Sequence, residues 1–141
     1  MNLRQYQHVR PGLVRFWAWP DLVFGLALAL PPLAYGFAKL IFTVYHQFGG
    51  TADLPDFAPI QWLVVFVCGV FILNWGVVRL LYPTGVFALI DGFLKFWIGG
   101  LMVYVIVVMG APEIFWVFVI YGAIGAVMQL VAVFFRTRSS L

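Results

Sequence analysis

Charge is what this sequence has least of. Of 141 residues, eight are Lys or Arg and five are Asp or Glu, together 9% of the chain, where soluble domains carry about 25%. Cysteine is nearly absent as well. Cys68 stands alone inside an apolar run, which excludes a disulfide framework, a CxxC redox pair and a thiolate metal site. It reads as a small buried apolar residue. There is no HExxH and no glycine-rich phosphate loop, and Ser139 and Ser140 lie in the carboxyl-terminal tail. No catalytic residue, metal ligand or cofactor is assigned on this basis. A self-contained enzyme is not expected.

What fills the chain instead is apolar: 65% of it is hydrophobic, against about 45–50% in soluble domains. A small soluble domain cannot hide that much apolar surface, because much of its area stays exposed. The surplus therefore faces lipid. The net charge of +3 and the pI near 9.3 do not call for a nucleic-acid partner. Most of the basic residues lie outside the apolar runs, where membrane topology explains them.

A bilayer core of about 30 Å takes about 20 apolar residues of helix. Four runs meet that length, at about 22–45, 60–82, 86–109 and 114–135. They are too long for strands and do not alternate, and helices satisfy their own backbone groups. The first run holds Pro31 and Pro32 and ends in Tyr45, His46 and Gln47 without an A-x-A-like site. It is read as a retained span, not a cleaved signal. Turn signals at Tyr82-Pro83-Thr84-Gly85 and Gly110-Ala111-Pro112 separate the later runs, so consecutive spans should be antiparallel and adjacent. The expected fold is an all-α, single-domain, antiparallel four-helix membrane bundle.

The ends of the runs suggest a direction. Arg4, Arg10 and Arg15 precede the first run, Arg79 lies by the second turn, and Arg136 and Arg138 follow the fourth. With four spans all six fall on one side. The other side carries Asp53, Asp56 and Glu113. The positive-inside rule makes the basic side, with both termini, cytoplasmic; a bacterial inner membrane is the expected location. Trp17, Trp19, Trp62 and Trp116 read as interface anchors, and Asp21 as the cap of the first helix. His8 and His46 then lie on opposite sides and cannot share a haem or a metal.

Polar residues within the spans call for explanation, since they are costly there. Asp91 and Lys95 are four apart and share a helix face. Gly85, Gly92 and Gly99 recur along roughly that side, as a close helix contact would need. The helical rise puts Asn74, Asp91, Lys95 and Gln129 at depths of about 9–18 Å from the cytoplasmic surface, with Arg79 nearer the rim. These five residues can form one polar layer. It reads either as a structural network, or as a site for an anionic head group or a proton path. Two bases against one acid would leave a positive charge for an anion. Lys39, near the outer end of the first run, can snorkel to the outer surface. Pro31 and Pro32 must kink or break the first helix. That is either a packing kink or, as in many transporters, a break lining a cavity.

Two stretches resemble the DoxX-like group of small four-helix membrane proteins. Gly36-Phe37-Ala38-Lys39-Leu40 is similar to its G-x-x-K-L, and Gly69…Gly76…Arg79 to its glycine-rich helix ending in Arg. The usual acidic residue early in that helix is missing, since Val64 to Val67 stand there, and the proline pair is foreign to it. The resemblance implies an accessory membrane subunit near quinone-linked redox chemistry and carries over Lys39 and Arg79. Three classes of function stay open: a non-catalytic subunit or assembly partner of a larger complex, a small transporter or lipid-binding protein, and an enzyme with a donated cofactor.

Overall fold

A computed structural model describes residues 7–135. Among them it is all-helical: α1 (Pro11–Ala29), α2 (Pro31–Gln47), α3 (Pro59–Leu81), α4 (Gly85–Val107), a 3-10 turn at Glu113–Phe115, and α5 (Trp116–Phe134). Proline opens α1, α2 and α3, where its missing N–H costs nothing and its fixed φ suits the first turn. Two glycines close helices. Gly49 takes φ +85° after α2, with Gly49 and Gly50 N–H bonded back to His46 and Tyr45, a Schellman ending. Gly110 takes φ +71° after α4.

Four helices are long and apolar enough to cross a membrane: Pro11–Ala29, Pro59–Leu81, Gly85–Val107 and Glu113–Phe134. The last three lie close to the expected runs. The first does not: it starts at Pro11 rather than Leu22, and the chain breaks at Leu30, whose φ −104° and ψ 118° are extended. Hydropathy alone misplaced it because the helix opens with a mixed stretch containing Arg15 and Asp21. Pro20 lies inside α1.

Backbones approach most closely between α1 and α3. A Cβ added to Gly25 would lie 2.4 Å from the Leu73 nitrogen, one on Gly69 2.4 Å from that of Ala29, and one on Gly76 3.0 Å from that of Leu22. The pairing runs antiparallel, and only glycine permits it. A second antiparallel pair is α4 with α5, where a Cβ on Gly92 would meet Leu130 at 2.8 Å. The glycine row expected on α4 is only partly a contact. Gly85 and Gly92 are buried, but nothing lies within 4 Å of the Cβ position of Gly99.

The two pairs join at the end that carries the 82–84 turn. Val9 and Val14 are buried with Ala88 and Val133, and His8 Nε2 lies 3.0 Å from the Val133 carbonyl oxygen. Both described ends of the chain thus meet there. At the opposite end α2 leans from α3 toward the α4–α5 turn. Tyr35 packs on Trp62 at 6.0 Å, and the Tyr45 hydroxyl donates to Glu113 at 2.6 Å.

Elsewhere the helices present apolar side chains outward. Phe71, Phe96 and Trp97 are each 70% exposed or more, and 17–22% of the most apolar stretch of each candidate span is buried. A surface like this suits lipid contact.

Candidate functional site

Asp21 sits in the third turn of α1, facing α3 and α4. The ion pairs it makes cross both helix pairs: Arg79 Nη2 from α3 donates to its Oδ2, and Lys95 Nζ from α4 lies 2.9 Å from the same oxygen. On α4, four residues before Lys95, Asp91 collects the rest. Its Oδ2 accepts from Lys95 at 2.9 Å and from Gln129 Nε2 of α5 at 2.5 Å, and its Oδ1 from the Trp75 indole at 2.8 Å. Arg79 Nη1 faces Asp91 Oδ2 at 2.5 Å as an ion pair, and Nη2 also donates to the Trp17 carbonyl at 3.0 Å. One cluster therefore joins α1, α3, α4 and α5.

Arg79, Asp91 and Gln129 are at most 2% exposed, and the side chains of Lys95 and Asp21 are 11% and 15% exposed. Charges so enclosed are tolerable only when paired and hydrogen-bonded. Around them Trp17 Nε1, Arg79 Nε, the Tyr121 hydroxyl and Gln129 Oε1 have no hydrogen-bond partner among the described residues.

Four members of the expected layer thus meet: Arg79, Asp91, Lys95 and Gln129. Asn74 does not join them. It is exposed, and its amide donates to the Val70 carbonyl of its own helix at 2.9 Å. Its depth was suitable, but its face points away; depth follows from rise alone, facing from the helical phase. Arg79, in the last turn of α3, is fully enclosed. The residue missed was Asp21, read as a helix cap. The sequence signal was Pro11, a first-turn proline that starts the helix early and carries Asp21 well inside it. Trp75 was missed too.

Asp21 changes the charge count. Two acids now face two bases, so the surplus positive charge that favoured an anion is gone. The anionic-ligand reading loses its physical basis.

Other expectations also shift. Trp17 is no interface anchor: it is 4% exposed, with its ring 5.4 Å from that of Tyr121 and packed on Gly125. Cys68 is exposed rather than buried. Lys39 is exposed, with its ammonium 4.5 Å from the Tyr35 ring centroid, a cation–π contact. Pro31 and Pro32 do not bend a continuous helix but open a new one. Arg4, Arg136, Arg138, Ser139 and Ser140 lie outside the described residues. Among the described residues no cluster of His, Cys, Asp and Glu could hold a metal ion.

No family model matches the chain, and no curated protein or solved structure matches it.

Proposed function

We propose that the chain is a non-catalytic accessory or assembly subunit of a larger membrane complex, carried in a bacterial inner membrane with both termini cytoplasmic. The observation that supports this is the closed charge cluster. Its two acids and two bases satisfy one another across three helices, with Gln129 tying in the fourth, which suits a fixed frame better than a reaction centre. Outward-facing apolar helices and short α3–α4 and α4–α5 links leave lipid or neighbouring helices as the natural contacts. The DoxX-like resemblance would put the partner near quinone-linked redox chemistry, with Lys39 at the outer end of the chain and Arg79 inside it. Gentle purification from native membranes tests the proposal: a stoichiometric larger partner supports it, and a lone homo-oligomer overturns it.

The cytoplasmic assignment rests on Arg10 and Arg15, which lie at the end that holds the 82–84 turn, opposite Asp53, Asp56 and Glu113. In a Cys68→Ala background, Thr51→Cys should react with an impermeant thiol reagent added to intact cells, and Thr84→Cys should not. The opposite pattern reverses the orientation.

One observation favours a second reading, a small transporter: the break at Leu30, which divides the first helix as transporter helices are divided. The charge cluster speaks against an anionic substrate.

A further inference from the structure

The break leaves backbone groups unpaired. In a continuous helix the carbonyls of Ala27 and Leu28 would accept from residues 31 and 32, but both are proline and have no N–H to give. Among the described residues the one backbone bond across the break is Ala34 N–H to Leu30 C=O, 2.9 Å. The carbonyls of Leu26 and Ala29 gain nothing from Leu30 or Leu33 either. So the last turn of α1 ends in open acceptors.

The depth of this end can be read from α3. Gly69 lies against Leu28 and Ala29, and the ten residues from Pro59 to Gly69 rise about 15 Å. Leu30, Pro31, Pro32 and Leu33 are all exposed, Leu30 at 46%, so the chain does not cover its own break. Unpaired backbone at membrane depth is tolerated only when buried in protein or lining a water-filled cavity.

We infer that the break at Leu30 lines a water-filled recess open to the outer face, with α2 as one wall and the free carbonyls of α1 as its floor. Water is the occupant because the floor offers acceptors and no charge. Asp21, on the same helix, and Asp91 are already held by Arg79 and Lys95. The inference rests on the membrane reading of the helices but not on the subunit reading.

Cys68 supplies a control at the same depth. It precedes Gly69 and is exposed, on a helix face that the membrane reading gives to lipid. A water-borne reagent reaches a thiol in a wet recess far more readily than one packed against acyl chains. Leu30→Cys and Leu33→Cys, each in a Cys68→Ala background, are compared with unmodified Cys68 in reconstituted vesicles. An impermeant maleimide is added on the side from which Thr51→Cys reacts.

The expected result is labelling of residues 30 and 33 at least about tenfold faster than Cys68, because the reagent is excluded from lipid but not from water. Adding Pro31→Ala and Pro32→Ala restores two N–H donors and should bring the rate at residue 30 down toward that of Cys68, with helicity and monodispersity in detergent unchanged. Slow labelling at 30, 33 and 68 alike overturns the recess and leaves the membrane reading standing. Fast labelling at all three overturns the membrane depth itself. Unchanged fast labelling after the proline replacements overturns the break as the source of the water.

Discussion

The end of the molecule that carries the 82–84 turn and the end that carries α2 are built on different principles. At the first, four helices are tied by ion pairs among Asp21, Arg79, Asp91 and Lys95, with Gln129 and Trp75 added. At the second, α2 is joined to α3 and to the α4–α5 turn by ring contacts and the exposed hydrogen bond from Tyr45 to Glu113. The charged end has little slack, because removing any one of the four ionised residues leaves the other three with a net buried charge. The other end can lose a contact and keep its helices. A frame at one end and an adjustable wall at the other is what this asymmetry provides.

The sharpest way to break that contrast is at Asp91. Asp91→Ala strips partners from Arg79, Lys95, Gln129 and Trp75 together and should destabilise the fold by about 3–5 kcal/mol. Reversible unfolding in mixed micelles measures it, and a loss under about 1 kcal/mol would mean the cluster is not the frame. Gly69→Val should come next. Its side chain must enter the backbone of α1 at Leu28 and Ala29, at a cost of about 1–3 kcal/mol. Gly99→Ala, in open space, should instead leave stability unchanged or raise it by up to about 1 kcal/mol.

Smaller effects sharpen the comparison. Gln129→Leu removes a buried interhelical bond and should lose about 0.6–1.7 kcal/mol, whereas Asn74→Leu, on an outward face, should stay within about 0.5 kcal/mol. Equal losses at the two amides would contradict their different facing. Last comes Tyr45→Phe, which deletes the bond to Glu113. Faster backbone hydrogen exchange should appear in α2 alone, with α3–α5 unmoved.

Much of this could be read in advance, and the reasons differ by feature. Length and apolarity gave α3, α4 and α5 close to their observed bounds, because a lipid-facing helix needs little else. Asp91 and Lys95 were linked by their i, i+4 spacing, a purely local relation. Counting rise put Gln129 level with Asp91 and Lys95, and its amide does reach Asp91. Asn74 had the same depth and the wrong face, which a count of rise does not see. Asp21 was hidden because an acid near the edge of an apolar run looks like a cap. Its true position depends on where α1 begins.

By itself the sequence determined how many long apolar helices form and where most of them end, since those follow from local composition and from proline and glycine at fixed places. Which helices pair, and whether the buried charges cancel, was decided only in the tertiary structure. Gly25, Gly69 and Gly76 bring α1 against α3 and so deliver Asp21 to Arg79 and Lys95. Charge balance is a property of distances between helices, and no single helix contains it.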